Sequence, residues 1–120
     1  MPRFVILEHT QPGQPCHWDF MLEQDGKLLT WQVPLPPEQW GEQQITCTKI
    51  FDHRLKYLDY EGEISGKRGS VNRADAGEYT ERSISPTYVE IELCIKAVSS
   101  VIRLEQIRIE NWRLDCAAYQ

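Results

Sequence analysis

The dipeptide Asp25-Gly26, set between the runs HWDFMLEQ and KLLTWQV, constrains the fold more than any other feature of the chain. A two-residue hairpin turn of the favoured hand needs positive φ at both central positions, which Asp and Gly accept. That turn sets the register of the flanking strands. Gln24 faces Lys27, Leu22 faces Leu29, Phe20 faces Trp31 and Trp18 faces Val33. The last three pairs are wholly apolar and share one face, the expected core side. The other face carries His17, Asp19, Met21 and Glu23 against Pro34, Gln32, Thr30 and Leu28, and is expected to be the face for chemistry. A slip of one residue would invert every assignment, so agreement over successive pairs is a strong constraint.

Period-two alternation and turn signals continue along the chain. Residues 3–8 read as a buried strand and 44–51 as a strand of mixed character. Residues 88–97 alternate, with Val89, Ile91, Leu93 and Ile95 on one face and Glu90, Glu92 and Lys96 on the other. In the tail, Ile107 and Ile109 alternate with charges before the phase changes to Trp112 and Leu114, which predicts a bulge or turn near Asn111. Helix signals are thin; Pro36-Pro37-Glu38-Gln39-Trp40 suits one short turn. The expectation is an all-β, mainly antiparallel fold, a small closed or partly open β-barrel with a surface groove, residues 1–120 forming a single domain.

Composition narrows the function classes. With 120 residues, 41% hydrophobic, and four tryptophans, the chain can bury a core. Its net charge of −5 argues against a nonspecific nucleic-acid coater, which needs a broad basic field. A metal and a few local cations can still serve an acidic enzyme that acts on nucleic acid. The opening MPRFVILEHT shows no cleavage-site pattern, and no run is long enough to span a membrane. Cys16, Cys47, Cys94 and Cys116 are scattered and form no CxxC pair, as in a cytoplasmic protein with reduced thiols.

Three histidines remain, each beside other reactive side chains. His17 and Asp19 leave the same face of a strand about 6–7 Å apart at Cα. With His9, from the end of the preceding strand, they make a two-histidine, one-carboxylate set that suits a transition metal better than calcium or magnesium. The spacing is equally compatible with a surface hydrogen-bonded pair and an incidental His9. His53 taken alone reads as a loop residue.

Taken in order, the segments FVILEH ending at His9, HWDFMLEQDG from His17, DHRLKYLDYEG across Asp52–Gly62, and the loop ISGKRGSV followed by AGEYTE resemble a known family. This is the 3′-phosphoesterase domain family of bacterial end-joining DNA ligase D. The likeness covers roughly residues 3–82; beyond them the chain matches only as strands. The resemblance implies metal ligation by His9, His17 and Asp19. It also implies a phosphate-engaging catalytic role for His53 and an active-site role for Tyr57.

The implied cofactor is a divalent metal, manganese first and zinc or another transition metal next. The implied reaction is metal-dependent removal of a 3′-phosphate or ribonucleotide remnant from a nucleic-acid end, with ligase or polymerase proteins acting in trans and no membrane partner. Two substitutions depart from the family pattern. Met21 stands where an arginine follows the metal-binding aspartate, and Phe51 where an acidic residue precedes the later histidine. The His9–His17 spacing is also slightly long. Arg54, Lys56, Lys67 and Arg68 are candidates to replace the missing phosphate-binding charge. The rival readings are a catalytically weak module that binds DNA ends or a partner, and a phosphoesterase acting on a small molecule.

Overall fold

In the computed structural model, which describes residues 1–118, nine antiparallel strands carry the chain. They are β1 (Arg3–Thr10), β2 (His17–Gln24), β3 (Lys27–Val33), β4 (Ile45–His53), β5 (Gly62–Glu63), β6 (Ser70–Ser85), β7 (Tyr88–Ile95), β8 (Val98–Gln106) and β9 (Asn111–Ala118). Short 3₁₀ turns occupy Pro37–Gln39 and Leu55–Leu58. The pairing order is β1-β2-β3-β4-β9-β8-β7-β6-β5, and β1 also pairs with β6, so the ladder closes on itself as a ring. Closure leaves β1 no free edge to recruit another chain.

The β2–β3 hairpin has the register its turn dictates, with Trp18 opposite Val33, Phe20 opposite Trp31 and Leu22 opposite Leu29. Asp25 (φ 53°) and Gly26 (φ 80°) both adopt the left-handed region. Inside the ring, Phe20, Leu22, Trp31 and Val33 join Phe4, Ile6, Trp40, Ile91, Ile102 and Leu114 in the main core. Trp40 is fully buried, its indole N–H donating to the Leu35 carbonyl at 2.8 Å and its ring meeting Phe20 edge-on at 5.2 Å.

The outer face of the hairpin is not given over to chemistry alone. Met21 and Leu28 are buried there with Val5, Leu7, Leu58 and Val71 in a second, smaller core. Leu55, Tyr57, Tyr60 and Ile64 cover it. Strand β1 is therefore buried on both faces, which is why FVIL reads as a continuous apolar run.

Three segments differ from the sequence expectation. Strand β7 stops at Ile95 because Lys96 (φ 49°) and Ala97 (φ 68°) make the turn into β8, with the Asp75 carboxylate accepting from the Lys96 N–H at 2.7 Å. Ile107 and Ile109 do not belong to a strand face. They sit in the β8–β9 turn, 51% and 91% exposed, and the phase change is the turn itself. The long β6 was not anticipated as a strand. Val71 and Tyr79 are its only buried residues, and irregularities opposite Ile6/Leu7 and near Glu81/Ser83 break its alternation.

Candidate functional site

Register brings the first three candidate residues together. His9 and His17 are direct partners across β1 and β2, and Asp19 lies one step along the same face of β2, opposite Leu7. The imidazole rings meet edge-on with centroids 4.6 Å apart. His9 Nδ1 lies 3.1 Å from His17 Nε2 and 3.4 Å from Asp19 Oδ2, while His17 Nε2 lies 3.1 Å from Asp19 Oδ1. One potential ligand atom from each residue falls within 4.8 Å of the other two.

The His9 tautomer follows from its other nitrogen. Nε2 lies 2.7 Å from the Arg68 carbonyl, which can only accept, so Nε2 carries the proton. In neutral His9, Nδ1 then presents a lone pair to His17 and Asp19. The loop ahead of β6 fixes that carbonyl: the Ile64 N–H donates to Gly69 O at 2.8 Å, and Arg68 Nε donates to Ser65 O at 2.7 Å. Gly69 (φ 86°) lies so close to β1 that a Cβ would collide with the Thr10 carbonyl.

The donor set fits a cation. Asp19 is 4% exposed, and its Oδ1 has no aligned hydrogen-bond partner; the 3.1 Å approach of His17 Nε2 lies off the ring N–H direction. A single proton on His17 Nε2 cannot satisfy both His9 Nδ1 and the carboxylate, whereas one divalent ion accepts a lone pair from all three. The electrostatics agree. Burial pushes Asp19 up, yet the close approach of the His17 and His9 rings outweighs it and holds the carboxyl below its ordinary range. His9 is raised, chiefly by the adjacent Asp19 carboxylate, to which its protonated form would donate, and further by the Arg68 carbonyl.

A cleft of about 260 Å³ opens beside this cluster. His9, Asp19, His53, Arg54, Tyr57 and Arg68 line it, with Met21, Leu7 and Val71 contributing apolar wall. His17 lines a neighbouring depression instead, which shares Gln11 and Gln32 with the cleft. Lys67 lines a third depression with Thr10, Glu63 and Ser70. Of the four candidate phosphate-binding residues, Arg54 and Arg68 thus face the cleft, the latter tied to Ser65 of its own loop, while Lys56 lies over the Tyr57 and Tyr60 rings.

His53 ends β4. Its Nδ1 lies 3.1 Å from both the Phe51 carbonyl and Thr30 Oγ1, whose hydroxyl proton is directed to Leu28 O. Both neighbours therefore accept, so Nδ1 carries the proton and Nε2 of the neutral ring is bare. Burial lowers the His53 pKa below 6.5. Tyr57 packs edge-on against His53 at 5.5 Å and against Tyr60 at 5.8 Å, with the Lys56 ammonium over both tyrosine rings.

Sequence reasoning placed Thr30 and Gln32 on this face without giving them a role, and missed the Arg68 carbonyl. Thr30 and Gln32 face Met21 and Asp19 in the hairpin register, so their position was available from the turn. The carbonyl carries no side-chain signal. Glu23 and Glu61 accept from the Arg3 and Arg73 backbone N–H groups at 2.9 and 2.8 Å. The four cysteines are free thiols, and burial pushes Cys47 up to about 12.

Comparison with known proteins adds the following. The sequence model of one family, described as the DNA ligase D 3′-phosphoesterase domain, matches residues 8–114. The chain is 42% identical over 81 residues to the multifunctional non-homologous end joining protein LigD of Mycobacterium bovis, covering 63% of this chain and 10% of that protein. It is 42% identical over 62 residues to the protein of the same name from Pseudomonas aeruginosa, covering 52% of this chain and 7% of that protein. The Mycolicibacterium smegmatis protein is 35% identical over 81 residues, covering 64% and 10%. The chain spans about a tenth of the length, or less, of these relatives.

Proposed function

The chain belongs to the DNA ligase D 3′-phosphoesterase domain family, and on that premise we propose that it is a metal-dependent phosphoesterase that acts on nucleic-acid 3′ ends in DNA end joining. It removes a 3′-phosphate or a terminal ribonucleotide remnant and leaves a 3′-hydroxyl. The observation that carries this reading is the buried Asp19 carboxylate with an orphaned oxygen, converging with two imidazole nitrogens beside a cleft that also holds His53, Arg54 and Arg68.

His9, His17 and Asp19 would hold a divalent metal, manganese by preference, which would supply Lewis-acid polarisation of the phosphoryl group. The chain's own residues do the rest. The Arg68 carbonyl keeps the His9 lone pair aimed at the centre. Arg54 presents a guanidinium to the entering phosphate. His53 enters with Nε2 bare; the phosphate's negative charge offsets the burial penalty, so Nε2 takes up a proton and holds a phosphate oxygen. From there it can return the proton to the leaving 3′ oxygen as a water molecule attacks phosphorus and the P–O3′ bond breaks, releasing inorganic phosphate or a nucleotide remnant. Tyr57 keeps the His53 ring in place.

The reading is tested by a labelled primer-template bearing a 3′-phosphate, with and without manganese, comparing wild type with His17→Ala. Expected is manganese-dependent conversion to a 3′-hydroxyl, reduced by about two orders of magnitude or more in the variant. Equal conversion by His17→Ala, or conversion indifferent to metal, would count against it. One observation favours a second reading, a module that binds ends without turnover. Met21, in the position of the family arginine, is 1% exposed within the second core and offers the phosphate no charge. Saturable end binding with no conversion would select that reading.

A further inference from the structure

We infer that Phe51 is a specificity-determining residue that stacks on the nucleobase of the terminal nucleotide whose phosphate occupies the cleft. This inference rests on the proposed action at nucleic-acid 3′ ends and names the part of the substrate held outside the phosphate site. Among the described residues Phe51 is the one exposed aromatic side chain; every other aromatic residue there is buried or half-buried. It is 73% exposed, yet it lines the same cleft as His9, Asp19 and His53.

Its orientation is set. Phe51 and His53 are two residues apart on β4, and their rings are parallel to within 3° with centroids 5.0 Å apart. His53 is itself fixed by the Phe51 carbonyl and Thr30 Oγ1. A phenyl ring held flat beside a phosphate-binding histidine and open to solvent matches a planar group attached to that phosphate. A nucleobase is such a group, and stacking accepts any base because each has a π-face. An acidic side chain at this position would offer no such platform.

Calorimetry in chelator, where no turnover occurs, compares adenosine 3′-monophosphate with inorganic phosphate. Expected is binding of the nucleotide roughly tenfold tighter than phosphate. Phe51→Ala abolishes that preference, and Phe51→Tyr keeps most of it. No preference in wild type, including no detectable binding, overturns the inference, as does a preference that survives in Phe51→Ala. The same preparations are then assayed with manganese on the 3′-phosphorylated primer-template. Hydrolysis without nucleotide preference removes the role of Phe51 and leaves the phosphoesterase reading standing. Preference without hydrolysis does the reverse.

Discussion

His53 is held with one nitrogen committed to neighbours that only accept and the other bare, in surroundings that disfavour its cation. Its folded pKa lies below 6.5, so in the free protein at pH 7 it is neutral. A bound phosphate dianion raises that pKa, and binding at pH 7 should therefore take up to about one proton from solvent. Titration of inorganic phosphate in two buffers of unlike ionisation enthalpy measures this as the difference between wild type and His53→Ala, which cancels the protons that phosphate itself exchanges. Equal proton exchange in the two proteins would contradict the role given to Nε2. The same shift fixes the sign of the residue's effect on stability. The unfolded chain binds the proton more readily, so this contribution is present above pH 6.5 and is lost as pH falls toward the lowered value. At this scale the site was partly legible. Alternation and the hairpin turn placed His17 and Asp19 on one face, but His9 depended on a strand end that only pairing could align. The His53 tautomer depended on a carbonyl and a threonine hydroxyl that the sequence does not mark.

The element that most controls the site is the loop ahead of β6. Gly69 combines a φ of 86° with an approach to the Thr10 carbonyl that no side chain permits, and that approach brings the Arg68 carbonyl to His9. Gly69→Ala should therefore cost about 2 kcal/mol or more, lowering Tm by roughly 6–10 °C. Manganese affinity should fall with it, because His9 loses its orienting partner. Gly13→Ala is the matched control: φ is 73°, but nothing lies within 4 Å of the added methyl. It should cost about 1 kcal/mol and leave the affinity alone. Equal effects from the two substitutions, measured by thermal melting and metal titration, would contradict the assignment. Elements whose apolar residues alternate, β2, β3 and β7, were readable from sequence. Strand β6 was not, because it meets two neighbours through irregular pairings and turns most of its side chains to solvent. The outer face of the hairpin was read as chemistry alone because the segment that covers Met21 and Leu28 arrives from residues 54–64, far away in sequence.

For the whole molecule, a net charge of −5 sets what nucleic-acid binding can look like. Few phosphates can be neutralised outside the cleft, so log Kd for a 3′-phosphorylated end should rise with log salt with a slope of only about 1–3. Internal duplex should compete poorly. A steep slope, or equal affinity for blunt internal duplex, would indicate a basic surface that this reading lacks. The all-β, antiparallel architecture was legible because its strongest hairpin is, whereas the β1–β6 pairing that closes the ring joins segments far apart in sequence and has no local signal. The central claim is that the ring holds His9, His17 and Asp19 together for a cation, and thermal melting against manganese tests it most directly. At a hundredfold excess over Kd the ion should stabilise the folded wild type by about 2.7 kcal/mol, with one ion bound per chain in parallel calorimetry. Asp19→Ala should lose the shift. A wild-type Tm indifferent to manganese, or an equal shift in Asp19→Ala, would contradict the account.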